Sequence, residues 1–446
     1  MLSTRTTGSE VVDVTPSPPA VARSSGEHTA ASGRAGARRV AVVGLGYVGL
    51  PLVVDLLAAG FVVRGVDVDP ARLRHVAQEP VLESAVRERR LTLAGDAGNV
   101  GAHADVVVVC VPTPWDHEVR APDLRAVLSA ASEIARGLQP GTLVVLESTT
   151  YPGTTEGVFA RALEEGSGLR AGVDFHLAYS PERVDPGNVD FGIANTPKVV
   201  GGVTPACTRQ AVAFYERFVG RVVAAAGTRE AELAKLIENT YRLVNVALVN
   251  EIAVACHELQ IDVWDALECA ATKPFGYAPF RPGPGVGGHC IPIDPLYLSH
   301  LTETELGRPV AMVETATRIN RSMPLHLAAR AAKMLGGDVA GRSVLLVGVA
   351  YKADVHDTRE TPAEPLAAEL RAAGADVAYL DPLVEALDVG GRRVPRAHAD
   401  EIATAGFDLV ILLQHHSSVD IDALCGLGVP VLDARGQQRG ANVERL

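Results

Sequence analysis

The 446-residue sequence has no apolar run approaching the ~20 residues needed to cross a bilayer. Its first 38 residues, rich in Ser, Thr, Ala, Pro and Gly, lack the continuous apolar core of a signal peptide. No membrane partner is expected, and residues 1–38 read as a disordered extension. Positive charge is also short: 41 Lys and Arg against 53 Asp and Glu give a net charge of −12, without the broad basic surface that nucleic acid requires. A few placed Arg and Lys residues can still hold a small anion. Cysteines are sparse, at 110, 207, 256, 269, 290 and 425, with no metal-type CxxC pair. That usage fits reduced thiols in the cytoplasm, not a disulfide framework or a metal site. Aromatics make up only 4%, which argues against an aromatic-rich β-sandwich, and the abundant Ala, Val and Gly suit tightly packed α/β layers.

Regular structure is expected to start at Arg39-Val40-Ala41-Val42-Val43, followed by a glycine loop, an apolar helix to Leu57 and a second strand from Val62 to Val68. Further apolar runs at Val106–Val111 and 142–146 stop at Pro112-Thr113-Pro114 and Glu147-Ser148-Thr149-Thr150. Continuous apolar strands alternating with helices imply a parallel sheet covered on both faces. This first domain is placed at 39–220. No Pro or Gly occurs between Gly227 and Pro274, so a long helix is predicted from Arg229 to about His257. A loop dense in Pro and Gly then runs from Pro274 to Pro295, closing a central domain at 221–324. Strand candidates at Ser343–Val349, Asp376–Leu380, Leu409–Leu413 and 429–432 alternate with Ala-rich helices and suggest a second, smaller Rossmann-like unit at 325–446. The expected fold class is α/β, with two Rossmann-like domains joined by a long central helix.

Gly44, Gly46 and Gly49, with Tyr47 and Val48 between them, form GxGxxG directly after a strand and before a helix. Glycines let the backbone approach a pyrophosphate, whose charge the helix N-terminus favours. Asp67, 18 residues after Gly49, stands where a carboxylate accepts ribose hydroxyls and repels the 2′-phosphate of NADP, so NAD is the expected cofactor. Cys290 lies in a glycine-rich loop, beside His289 and four residues before Asp294. On spacing alone, a catalytic thiol and a plain small hydrophobe are equally open there. Lys235, Asn239 and Arg242 recur at i, i+4 and i+7 and share one helical face, and Asn245, Asn250 and Glu251 continue the polar content inside a largely apolar helix. A solvated stripe is the plain alternative, but polar groups on a mostly buried helix need partners, whether a ligand or a second subunit. Lys352 and Arg359 follow the first strand of the third domain, where phosphate binding and a surface charge cluster are both open.

Together these segments resemble the UDP-glucose/GDP-mannose dehydrogenase family from about residue 38 to 440. The markers occur in the family's order: GLGYVGLP, VCVPTP, ESTTYPGTT, SPER, AELAKLIENTYR, PGPGVGGHCIPIDP and GVAYKADVHDTRETP. The resemblance implies an NAD-dependent nucleotide-sugar 6-dehydrogenase that dimerises through its central helix and binds the UDP-sugar in its C-terminal domain. It makes Cys290 the nucleophile of a two-step oxidation that passes through a thiohemiacetal and a thioester. It puts Lys235, Asn239 and Asp294 at the reacting oxygen, Glu182 at water activation and Thr150 at positioning that water near the nicotinamide. Arg72, Thr113 and Arg359 become NAD contacts, and Arg183, Arg242, Arg281, Gly287 and Lys352 substrate contacts, alongside Glu182, Lys235 and Asn239.

Within the family, ESTTYPGTTE, AYSPERVDPGN, TKPFGYAPF and GGHCIPIDPLYL look closest to the branch acting on UDP-N-acetylglucosamine. UDP-glucose is the alternative substrate. Arg281 departs from that branch, which often has an aromatic there. Two other functions compete: a two-electron dehydrogenase of the hydroxyacid type, which needs no thiol, and a catalytically silent nucleotide-sugar binder.

Overall fold

The computed structural model describes residues 38–98, 100–184 and 190–446, so the expected extension lies outside the described residues except for Arg38. The first sheet contains β1 (Arg39–Val43), β2 (Val62–Val66), β3 (Leu91–Ala94), β4 (Val106–Val109), β5 (Leu143–Leu146), β6 (His176–Tyr179), β7 (Lys198–Gly202) and β8 (Val222–Ala224). Their order across the sheet is β8-β7-β6-β5-β4-β1-β2-β3. Val40 stands opposite Val63 on one side and Val106 on the other. Because successive side chains point to opposite faces, Val40 and Val42 enter one core and Ala41 and Val43 the other. Every residue of β4 and β5 is buried, as a sheet covered on both faces demands. All neighbours are parallel except β6 and β7, where the expected all-parallel arrangement gives way to one antiparallel pair.

The second sheet is parallel throughout and contains β9 (Ser343–Val347), β10 (Asp376–Leu380), β11 (Leu409–Leu412), β12 (Val431–Asp433) and β13 (Val443–Arg445), in the order β10-β9-β11-β12-β13. Both sheets reverse direction at their first strand, between β1 and β4 and between β9 and β11. Loops at such a switch point open a crevice beyond the carboxyl ends of the strands.

Helices pack on these sheets and link them. α1 (Gly49–Ala58) follows the glycine loop, and α2 (Thr228–Glu258) has 31 residues. After α3 (Val263–Ala271) come α4 (Cys290–Leu306) and α5 (Ala311–Met334). Leu236, Leu243 and Ala247 of α2 pack with Ile293, Leu296 and Tyr297 of α4 and Val313, Ala316 and Ile319 of α5. Two features differ from the sequence reading. The glycine-rich loop ends at Cys290, not Pro295, because Pro292 falls in a first helical turn, whose N–H groups have no carbonyl to lose. α5 also continues through residues 324 and 325 despite Pro324, so that expected boundary falls inside a helix.

Candidate active site

The glycine loop is closed on its inner side and open on its outer one. Gly44 has φ +92°, and a Cβ there would lie 2.6 Å from the Cys110 carbonyl oxygen. A Cβ on Gly49 would come within 1.8 Å of the Gly44 carbonyl oxygen, whereas one on Gly46 would meet nothing within 4 Å. Val48 precedes α1 and no side chain caps that helix, leaving its first N–H groups for an anion. Asp67 braces the loop from below, its Oδ2 accepting from the Leu45 N–H at 2.8 Å and its Oδ1 from the Asp69 N–H at 2.9 Å. This cradle fits the pyrophosphate and ribose of NAD. Arg72 is half-buried on the helix just beyond Asp67, and Thr113 is buried at the end of the segment after β4. Half-exposed Tyr47 faces the third domain: the Arg359 guanidinium lies 5.2 Å from its ring centre, and its hydroxyl is 3.3 Å from His356 Nε2.

Cys290 is the first residue of α4, with Asp294 one turn on along the same face. Water reaches the thiol, but protein crowds its other sides; burial pushes it up from its ordinary range, and Asp294 adds to this. Lys235, Arg242 and Arg359 pull the other way. Asp294 is fully buried. Its Oδ2 accepts from Asn239 Nδ2 at 2.6 Å, while its Oδ1 has no hydrogen-bond partner. Burial lifts the carboxyl to about 6, against the downward pull of Lys235 and Asn239. His289 is held down at about 4 by burial, Arg359 and Lys235, so it is neutral at pH 7.

Lys235 and Asn239 project from one face of α2, one turn apart, into this space. Lys235 Nζ donates to the backbone carbonyl of Glu182 at 2.7 Å. The Glu182 carboxylate is occupied elsewhere: Oε1 accepts from the Arg183 and Val184 N–H groups at 2.8 and 2.6 Å, and Oε2 meets Lys198 Nζ at 3.3 Å. Although burial opposes it, Lys198 and Lys235 hold that carboxyl below its ordinary range. Thr150 is wholly buried, and its hydroxyl donates to Glu232 at 3.2 Å.

The Cys290 loop is gripped by the third domain. A Cβ on Gly287 would lie 2.7 Å from Tyr351 Cβ, and the Gly288 N–H donates to the Arg359 carbonyl at 2.8 Å. Arg359 itself forks onto Asp357, and Lys352 is half-buried beside Tyr351. From the first domain, the Thr113 carbonyl accepts the Tyr297 hydroxyl of α4. The structure therefore assembles Cys290, Asp294, Asn239, Lys235 and the Glu182 carbonyl in one place, with Tyr47, Arg359 and Gly287 at its rim. Three expected substrate contacts are engaged elsewhere or exposed. Arg183 pairs with Glu238 at 2.6 Å, Arg281 lies exposed against Glu268, and Arg242 is exposed on α2.

Glu232, Glu147 and Lys198 help to organise the site although the sequence reading gives them no role, and Asn250 takes a different part from the one its polarity suggests. Glu232 accepts from Thr150, the Gly153 N–H (2.7 Å), and the Thr155 N–H and hydroxyl (2.9 and 2.7 Å), welding the loop after β5 to α2. Its position three residues before Lys235, on the same helical face, was the available signal. Asn250, whose polarity suggested a ligand or a second subunit, finds its partners within the chain. It donates to Asn320 at 2.9 Å and accepts from the Gly283 N–H at 2.8 Å, tethering the start of the Cys290 loop. Glu147 and Lys198 form a buried ion pair at 3.0 Å, signalled only by a lone Lys opening an apolar strand.

Comparison with known proteins shows the family. Residues 38–219 match the NAD binding domain of the UDP-glucose/GDP-mannose dehydrogenase family, 229–322 its central domain and 345–435 its UDP binding domain. The chain is 35% identical to a UDP-N-acetyl-D-mannosamine dehydrogenase of Methanocaldococcus jannaschii, over 85% of this chain and 86% of the relative. It is 36% identical to a UDP-N-acetyl-D-glucosamine 6-dehydrogenase of Pseudomonas aeruginosa, over 78% and 84%. Its fold is similar to the solved UDP-D-ManNAc dehydrogenase of Pyrococcus horikoshii, with a TM-score of 0.80 and 31% identity, covering 91% of this chain and 98% of that one.

Proposed function

The chain belongs to the UDP-glucose/GDP-mannose dehydrogenase family, an NAD-dependent nucleotide-sugar dehydrogenase, and from that premise we propose that it oxidises C6 of UDP-N-acetylglucosamine to the uronate on Cys290. The observation that carries this reading is Asp294, buried one turn from Cys290 with a bare oxygen and a carboxyl poised near neutrality.

NAD, when bound, takes a hydride from C6 in each of two oxidations. In the first, Asp294 Oδ1 accepts the hydroxyl proton, while Lys235 and Asn239 stabilise the oxygen left behind. The Cys290 sulfur then bonds to the aldehyde carbon, and the thiol proton ends on the former carbonyl oxygen. Once Asp294 has released its proton to solvent, it accepts that hydroxyl proton as the second oxidation makes the thioester. Water adds to the thioester, the C–S bond breaks, and the thiol is restored. The balance per sugar is one alcohol, two NAD⁺ and one water giving one carboxylate, two NADH and three protons. Asp294 is the acceptor for the attacking water as well, because both Glu182 oxygens are already engaged. Thr150 positions the loop beside the nicotinamide through Glu232.

The motifs and the Pseudomonas aeruginosa relative support the N-acetylglucosamine sugar, and the Methanocaldococcus jannaschii relative supports its C2 epimer, UDP-N-acetylmannosamine, as a second reading. A homodimer through α2 follows from Ile237, Tyr241, Leu248 and Ile252, each more than two-fifths exposed and spaced 4, 7 and 4 residues apart along one seam. The six free thiols support a cytoplasmic location, and no helix among the described residues is long and apolar enough to cross a membrane. The test is a panel of UDP-N-acetylglucosamine, UDP-N-acetylmannosamine, UDP-glucose and GDP-mannose with excess NAD⁺, read by NADH absorbance. Two NADH per UDP-N-acetylglucosamine and no turnover by Cys290→Ala are expected. One NADH per sugar with a free aldehyde or ketone, or a Cys290→Ala variant that still turns over, overturns the reading.

A further inference from the structure

We propose that Lys198 is a positioning residue of the oxidation: by pinning the Glu182 carboxylate, it fixes the backbone carbonyl that holds the Lys235 ammonium in place. Lys198 opens β7 and is 96% buried as a side chain, being 4% exposed. It bridges two carboxylates, Glu147 at 3.0 Å and Glu182 at 3.3 Å. Glu147 leads the loop that carries Thr150, and Glu182 lies in the loop after β6, so one ammonium joins the two loops flanking the site. Tyr215 closes the cluster from α-helical residues 205–215, its hydroxyl donating to Glu147 and its ring centre 5.4 Å from Lys198 Nζ.

The chain of contacts from Lys198 to the reacting atoms is short. With Oε2 on Lys198 and Oε1 on the Arg183 and Val184 N–H groups, the Glu182 side chain is immobilised at both oxygens. The backbone of Glu182 is therefore held, and its carbonyl receives Lys235 Nζ at 2.7 Å. Stability alone is a poor reason for this arrangement, since buried ion pairs of this kind are commonly no better than apolar packing. The arrangement does supply a fixed place for Lys235.

This inference rests on Lys235 acting at the reacting oxygen, and the test separates the two. The double variant Lys198→Met with Glu147→Gln removes one charge of each sign from the cluster. It is expected to remain folded by circular dichroism, to lose at least tenfold in kcat, and to keep KM for NAD⁺ and UDP-sugar within threefold. On a Lys235→Met background the same pair should change kcat by less than twofold, because the residue it positions is gone. A folded double variant with kcat within twofold of the parent overturns the inference, and so does a full additional loss on the Lys235→Met background. Unimpaired turnover by Lys235→Met itself refutes the role of Lys235 and, with it, this one. If the double variant does not fold, Glu182→Gln takes its place with the same expected split of kcat from KM, and its failure to lower kcat counts against the inference.

Discussion

Replacing Asp294 by Asn removes a charge that burial opposes and that the proposed oxidation requires. The carboxyl is fully buried and lifted from its ordinary 3.8 to about 6, with desolvation the largest cause. Each tenfold displacement of an acid equilibrium is worth about 1.4 kcal/mol, so the ionised form costs the native state about 3 kcal/mol. The native state holds this proton to higher pH than the unfolded chain does. The cost is therefore absent below about pH 4, grows up to about pH 6 and stays constant above it. In the variant, an amide oxygen keeps the bond from Asn239, but the amide nitrogen takes the place of Oδ1, which has no partner. An unpaired buried donor costs about 1–3 kcal/mol, which offsets most of the gain, and the net effect at pH 7.5 is expected between zero and about 2 kcal/mol in favour of Asn. The pH dependence is the cleaner quantity: from pH 5 to 7.5 the parent should lose about 1.4 kcal/mol relative to the variant. Urea midpoints followed by circular dichroism at matched protein concentration read this directly. Activity should move the opposite way, with kcat lower by about 10²–10⁴ and the acid limb near pH 6 absent from the variant. Parallel stability profiles across that range, or an acid limb that survives in Asp294→Asn, would refute the reasoning.

Three further perturbations probe other parts of the site. Gly49→Ala puts a Cβ 1.8 Å from the Gly44 carbonyl oxygen, so backbone movement costing about 1–3 kcal/mol and loss of NAD⁺ binding in calorimetry are expected; parent-like affinity contradicts the cradle. Asn320→Ala strands the buried Asn250 amide, and a loss of about 1–3 kcal/mol in urea is expected, with a raised KM for UDP-sugar through the Gly283 tether; a loss below about 0.5 kcal/mol argues against that network. Leu248→Glu introduces charge into the exposed α2 seam, and light scattering should report half the mass of the parent; an unchanged mass places any dimer elsewhere.

Much of this architecture is legible because it is local. Val-rich β4 and β5 read as buried strands, since four consecutive apolar residues leave no solvated face. The absence of Pro and Gly makes α2 visible, and GxGxxG with Asp67, in its strand–loop–helix context, points to a cofactor cradle. Weaker strands did not announce themselves. β3 is only four residues long with one polar position, and β7 opens with a charge and ends in two glycines, so pairing with neighbours makes them strands. The start of α4 was hidden for a related reason. A segment with Pro292 and Pro295 looks like loop until packing against α2 supplies the energy to hold it helical.

The site divides along the same line. Cys290 and Asp294 lie one helical turn apart, as do Lys235 and Asn239, so each pair could be read from the chain, but their meeting across α2 and α4 could not. Glu147, Lys198 and Glu232 act over 16 to 82 residues of sequence, and no local period carries such a contact. Glu182 shows what spacing omits even when it finds the residue. Its motif suggests a carboxylate working on water, yet the carboxylate turns to Lys198, and the atom that meets Lys235 is the backbone carbonyl. The carboxylate pairs with a cation 16 positions away, while the backbone carbonyl is left for Lys235. If Lys198 positions Lys235 as proposed, substituting it should lower kcat through Lys235 while every residue of the Glu182 motif stays unchanged.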